Sequence, residues 1–270
     1  METATDPANE TERISDAFLT ARATHSVLPE FPGNLPADMD AAYEIQNRSL
    51  KIWPQELVGW KVGGVPPHLR AVLKQDRVVG PAFENRLVRV DSETAQMPVF
   101  EGGFAAVEPE FVLELGDTSE LAGEALSAED VLPCIQACYI GCEIASSPLP
   151  TINKIGSLAV ASDFGNNNGI IQGKRLETWS PEYLSEITVE TEINGKVVGT
   201  AKAPQYPDGP LAAVAFLINN LRRRGLHVPD GLLVATGAIT GIHDVVIGDT
   251  SKIRFDGLGE INIEIVKSTD

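Results

Sequence analysis

The sequence predicts an α+β protein in which a helical front section precedes a mixed, rolled or barrel-like β-sheet with flanking helices. Three observations carry that expectation. Apolar residues at helical spacing mark the first 57 or so residues, short strand-like runs outnumber helices after them, and few β-α-β units recur. The scarcity of such units argues against a doubly wound parallel sheet. The expected division is a helical section over residues 1–57 and a mixed β-roll over 58–270 that forms one continuous unit.

Taken in order, residues 11–27 place Ile14, Ala17, Phe18 and Ala21 on one helical face. The run LPEFPGNLP breaks that helix with three prolines and a glycine. A second helix follows over ADMDAAYEIQNRSLKIW, with Asp38 or Asp40 as its cap and Pro54 closing it. LVGWKVGG reads as a strand entering a Gly-Gly turn, and VEPEFVLEL as a strand opened by Glu108. SAEDVLPCIQACYIGCEIASS starts with a Ser127-x-x-Asp130 cap and reads as a helix turning into a strand. ITVETEINGKVVGT alternates with period two around Asn194-Gly195, a strong hairpin signal. GPLAAVAFLINNLRRRG is a helix stopped by Gly225, and the remainder is strand-rich and glycine-punctuated.

Charge and composition narrow the function. The formal net charge of −17 repels nucleic acid and anionic lipid, so neither is an expected partner, and an anionic small molecule needs local positive charge to bind. No apolar run approaches the roughly 18 residues of a membrane helix. The N-terminal METATDPANETER has no apolar segment of the kind a signal peptide needs, which leads to a cytoplasmic expectation. Cys134, Cys138 and Cys142 recur every fourth residue, the spacing of a helical stripe. With no histidine near them they read as buried free thiols rather than a zinc site. No G-K-[ST] follows a glycine loop and no G-x-S-x-G occurs, which removes a P-loop and an ordinary serine hydrolase. The four histidines are scattered, with only His243 near the glycine-rich C-terminal segment, and Arg222–Arg224 end a helix where cations suit its dipole.

The informative stretch is EPE at 108–110. On a strand, Glu108 and Glu110 project to one face while Pro109 turns away, and a proline there predicts a strand edge or start. Two carboxylates so close stay ionised in a dry site only when something positive compensates them, and oxygen-only ligands select a hard cation such as Mg²⁺ or Mn²⁺. The other reading is a solvated edge with surface glutamates. Glu143, flanked by Cys142, Ile144 and Ala145, is a third carboxylate in an apolar setting. It reads either as a third ligand or as a salt-bridge partner, with Lys154 at hand.

Several motifs in order resemble the 2-keto-4-pentenoate hydratase / oxalocrotonate decarboxylase family, within the fumarylacetoacetase-like superfamily. They are DAAYEIQ at 40–46, GWKVGG at 59–64, EPEFVLEL at 108–115, CEIASS at 142–147, ASDFGNNNGIIQG at 161–173 and TGAITGIHDVVIGD at 236–249. The resemblance implies a fumarylacetoacetase C-terminal-like rolled mixed β-sheet, and a Mg²⁺ or Mn²⁺ ion held by Glu108, Glu110 and Glu143. It implies a short 2-oxo acid or its dienol form as substrate, and a homo-oligomer. It places a functional lysine at Lys61, an aspartate at Asp76 that orients Lys61 or positions water, and a further site aspartate at Asp163. Thr236 and Gly237 become substrate-binding candidates, through a hydroxyl and a closely approaching backbone.

The expected reaction is addition of water to a 2-hydroxy-2,4-dienoate such as 2-hydroxypenta-2,4-dienoate, giving a 4-hydroxy-2-oxo acid in the catabolism of aromatic rings. Lys61, in apolar surroundings, is the expected proton carrier, with burial drawing its pKa down and a nearby carboxylate opposing this. The rivals are decarboxylation of a 2-oxo-3-enedioate, hydrolysis of an acylpyruvate, and a non-catalytic metabolite-binding or assembly subunit partnering a sister enzyme of the same pathway. Where family members with hydratase activity often carry a cation after the third glutamate's segment, this chain has IASSPLPTINKIG, with Lys154 the nearest.

Overall fold

Two helices lead the chain, α1 (Pro7–Ala23) and α2 (Met39–Ile52). Of the two expected caps Asp38 is the one used, its carboxylate accepting the Ala41 N–H at 2.9 Å. Ile14 and Phe18 of α1 and Tyr43 of α2 lie in the same buried cluster as Trp60 and Val62 of the first strand. The structure, a computed structural model, describes residues 7–269 apart from 124, 206 and 207.

The elements that follow are β1 (Leu57–Gly64), α3 (Pro67–Leu73), β2 (Arg77–Phe83), β3 (Leu87–Arg89), β4 (Thr94–Val99), β5 (Phe104–Leu115), α4 (Ala128–Val131), β6 (Ile135–Ser147), α5 (Ile152–Ile155) and α6 (Ser157–Ser162). After them come β7 (Asn167–Arg175), α7 (Pro181–Glu186), β8 (Thr188–Ile193), β9 (Lys196–Lys202), α8 (Pro210–Arg223), β10 (Leu233–Ala235), β11 (His243–Asp244), β12 (Thr250–Phe255) and β13 (Gly259–Lys267).

The larger sheet has the order β2-β1-β10-β5-β6-β7-β3, with β11 also paired to β5. It is mixed, since β1–β10 and β3–β7 are parallel and the other pairs antiparallel. It is also curled. Ala82 of β2, Val112 of β5, Ile170 of β7 and Leu233 of β10 meet in one buried cluster although β2 and β7 lie near opposite ends of the order. The roll thus has an inner face, which on β5 carries Glu108, Glu110, Val112 and Glu114. The outer face of β5 meets the second sheet, β4-β13-β12-β8-β9, where the Phe111 and Phe255 rings pack 5.6 Å apart. The rolled mixed sheet and flanking helices are those the sequence predicts.

Local signals hold as well. Asn194 and Gly195 adopt φ of +51° and +76° between β8 and β9, the geometry of a two-residue hairpin. Ser127 and Asp130 form a reciprocal capping box, and α8 ends just before Gly225 at φ +68°.

Two expectations give way. Pro109 is not at an edge: β5 lies inside the sheet, with Pro109 opposite Cys142 of β6. It is tolerated because its other side falls between the β10 pairing that ends at Val112 and the β11 pairing that starts at Val107. In that gap its carbonyl accepts the Ile239 N–H at 2.8 Å, and no ladder donor is required. The cysteines form no helical stripe either. Only Ala128–Val131 is α-helical, and Cys138 and Cys142 lie on β6. A spacing of four is even, so it preserves the face of a strand as well as that of a helix. All three thiols are buried and free, as expected.

Candidate active site

The site forms at one end of the roll. Glu108 and Glu110 share the inner face of β5, and register sets Glu143 of β6 directly opposite Glu108. Opposite Glu110 stands Gly141, where a Cβ would overlap the Val112 side chain. One oxygen from each of the three glutamates lies within 4.8 Å of the other two. All three side chains are buried, Glu110 and Glu143 with no exposure at all. This excludes the solvated-edge reading.

The hydrogen bonds are divided unevenly. Glu110 Oε2 accepts the Gly237 N–H at 2.8 Å, and Glu143 Oε1 accepts from Asn167 Nδ2 at 3.0 Å. Glu108 Oε1, Glu110 Oε1 and Glu143 Oε2 are buried with no hydrogen-bond partner. A buried oxygen left without a donor costs about 1–3 kcal/mol, more when charged. Burial and the charge of Glu143 push the Glu108 carboxyl up to about 8. Burial, with Glu143 and Glu108 as neighbours, raises Glu110 well above the ordinary carboxylate range. Burial also raises Glu143, against the pull of Lys61 and Asn167. Three clustered carboxylates, each with a bare oxygen, suit a divalent cation, and an all-oxygen set suits a hard one.

Lys61, on β1, reaches into this cluster and is 3% exposed. Its Nζ donates to Asn166 Oδ1 at 3.0 Å and lies 3.5 Å from Glu143 Oε1. The salt-bridge partner of Glu143 is therefore Lys61, and Lys154 is exposed. The expected fall in the Lys61 pKa is reversed: burial lowers it, but the charges of Glu143, Glu108 and Glu110 together raise it.

Of the remaining candidates, Gly237 is bonded to a carboxylate, and Asp163, Asp76 and Thr236 are placed elsewhere. Asp163 is buried, its Oδ1 2.5 Å from Arg22 Nε and its Oδ2 accepting from Ser147 Oγ at 2.6 Å. It anchors the segment that precedes Asn166. Asp76 is exposed in the turn before β2 and is not a partner of Lys61. It lines a cavity of about 380 Å³ together with Arg70, Arg77, Thr236 and Gly237. The Thr236 hydroxyl donates to the Phe111 carbonyl at 2.8 Å, so its proton is engaged in the fold. Gly237, at φ +111°, gives its N–H to Glu110. His243 pairs with Val107, next to Glu108, and its Nε2 is 2.9 Å from Thr240 Oγ1.

Asn166 and Asn167, which bond Lys61 and Glu143, are absent from the sequence-based candidates. Phe164, Gly165 and Asn166 adopt φ of +50°, +65° and +55°, three left-handed residues in succession. The conformation costs roughly 1–2 kcal/mol for each residue with a side chain, least for asparagine. The signal for it was present in FGNNN, since glycine and asparagine are the residues that visit this region most readily.

No family model matches the chain, so its relatives carry the assignment. It is 26% identical over 264 residues to a 4-oxalocrotonate decarboxylase of Pseudomonas putida, covering 94% of this chain and 95% of that protein. It is 26% identical over 237 residues to 2-keto-4-pentenoate hydratase 1 of Dechloromonas aromatica (strain RCB), covering 84% and 85%. Its fold matches the 4-oxalocrotonate decarboxylase of Pseudomonas putida G7 complexed with magnesium and adipate, with a TM-score of 0.77 at 21% identity over 98% of this chain and 100% of that one. Over most of its length the chain is similar to proteins named as hydratases and decarboxylases of this kind. The two kinds of relative bracket the reactions expected from the sequence, and hydratase/decarboxylase members of both kinds are lyases. Among the described residues no helix is long and apolar enough to cross a membrane.

Proposed function

We propose that the protein is a Mg²⁺- or Mn²⁺-dependent lyase for short 2-oxo acids in their dienol form, adding water to a 2-hydroxy-2,4-dienoate. The observation that supports this most is the set of three bare, buried carboxylate oxygens beside a buried lysine. Glu108, Glu110 and Glu143 would hold the ion. When bound, the ion would act as a Lewis acid, stabilising the negative charge that develops on the 2-oxo acid. The chain supplies the rest. Lys61, held as the ammonium, delivers a proton to C5 and takes up the one that leaves the 2-hydroxyl, which yields the 3-enoate ketone. Water then bonds to C4 while a proton reaches C3, giving the 4-hydroxy-2-oxo acid. Burial of the three carboxylates and of Lys61 limits competing water, and the Asn167 amide keeps Glu143 oriented. The setting that fits is ring-cleavage catabolism in the cytoplasm, with the chain as a homo-oligomer.

Decarboxylation of a 2-oxo-3-enedioate is the second reading, and one feature favours it. On β2 the alternation that turns Gly80 toward Lys61 also turns Val78 inward, so the wall beside the lysine is apolar. An apolar wall disfavours a carboxylate's charge and favours its loss as carbon dioxide, with the proton returned to the carbon it leaves. Purified protein with Mg²⁺ is to be given both dienoate types while the ultraviolet band and evolved gas are followed. Bleaching without gas supports hydration, gas supports decarboxylation, and neither, with metal bound, removes the lyase reading.

A further inference from the structure

A proton carrier has to hold its ammonium at one place in a pocket with three carboxylates competing for it. The segment between α6 and β7 has the geometry for that task. It makes three left-handed residues in a row, of which only Gly165 does so freely. The surrounding fold grips it on several sides. Asp163, just before it, is tied to Arg22 and Ser147. The Phe164 ring meets Phe83 at 5.2 Å and Trp53 at 6.0 Å. Gly80, the register partner of Lys61, leaves room for the turn, and a Cβ there would overlap the Phe164 carbonyl. A Cβ on Gly165 would in turn lie 2.7 Å from Gly80 Cα and 3.0 Å from Lys61 Cε.

What emerges from this grip is one amide. Asn166 is 2% exposed, and its Oδ1 accepts from Lys61 Nζ at 3.0 Å. Its Nδ2 donates to Asn153 Oδ1, also at 3.0 Å, which fixes the oxygen rather than the nitrogen toward the lysine. A glycine at 166 would make the same turn without strain, so joining helix to strand does not account for the asparagine. We propose that Asn166 is a positioning residue for Lys61, and that the left-handed turn serves to deliver its amide to the ammonium. The inference rests on the reading that Lys61 carries the proton.

Asn166→Gly is the decisive variant, because it removes the amide while keeping the backbone conformation. Its melting temperature is expected to equal or exceed that of the wild type. Its kcat should fall about a hundredfold with KM and the calorimetric Mn²⁺ affinity within about twofold, as expected for a misplaced reacting group. Asn166→Asp, which keeps an acceptor oxygen and tolerates the turn, should regain about a tenth of the lost rate, and Asn153→Ala should lose less than Asn166→Gly. In the metal-free protein, Asn166→Gly should speed acetylation of Lys61 by acetic anhydride, read by peptide mass. Wild-type kcat in Asn166→Gly, Mn²⁺ affinity falling in step with kcat, or no gain in Asn166→Asp would overturn the inference. Lys61→Ala separates the two levels. If it keeps wild-type turnover, the proton-carrier reading falls and takes the inference with it; if it is inactive while Asn166→Gly is not, only the inference falls.

Discussion

Strand β5 carries glutamates toward both ends of its inner face, and the two ends treat them differently. At one end Glu110 is fully buried, bonded through a single oxygen to a backbone N–H, and faces two other carboxylates. Four residues along, Glu114 is partly exposed and accepts the Tyr139 hydroxyl at 2.6 Å. Between them Val112 packs with Ile170, Leu233 and Ala82 as an apolar plug. A cavity of about 1010 Å³ opens at the Glu114 end, among charged residues of both signs, against about 380 Å³ for the one beside Gly237. Size therefore does not locate the chemistry. A glutamate becomes a ligand where water is excluded and donors are too few, whatever the volume nearby.

Making the same substitution at the two ends breaks or sharpens this contrast. Glu110→Gln should abolish Mg²⁺ uptake in calorimetry and lower turnover by about three orders of magnitude, since a Lewis-acid ion supplies several kcal/mol and each 1.4 kcal/mol is tenfold. Glu114→Gln should leave both within about twofold. Next in size, Lys61→Ala should lose about 10²–10⁴ in kcat while Mn²⁺ still binds, which steady-state rates and a binding isotherm separate. Asn167→Ala removes the donor that orients Glu143 and should weaken metal binding about 10- to 100-fold.

The smallest effect is one of pH. Glu108 has its carboxyl raised from an ordinary 4.5 to about 8 in the folded protein. A group raised in this way contributes stability that is fully present below 4.5 and is lost as pH rises through about 8. Melting temperatures of the metal-free protein should therefore decline between those values, and saturating Mg²⁺ should flatten the decline. A metal-free protein as stable at the upper value as at the lower would place the carboxylates in water.

The carboxylate cluster was legible because strand periodicity is local: residues two apart share a face, and an apolar neighbourhood marked Glu143. The hairpin at Asn194-Gly195 and the box at Ser127–Asp130 were legible for the same reason. What was not legible depends on distant pairing. Lys61 meets Asn166 across 105 positions and Arg22 meets Asp163 across 141. Nothing in either neighbourhood names its partner. Pro109 misled because the gap between β10 and β11 that accommodates it is set by residues more than 120 positions on. The cysteine spacing misled because it fits both periods.

The leading helix has a consequence for anyone shortening this chain. Arg22 lies near its end, and besides Asp163 Oδ1 its guanidinium reaches the carbonyls of Asn167 and Asp163. Cutting the chain after Ala23 would strand the buried Asp163 carboxylate beneath the left-handed turn, a loss of about 3–5 kcal/mol. Shortened versions should thus keep this helix, so that the guanidinium stays as the buckle on Asp163.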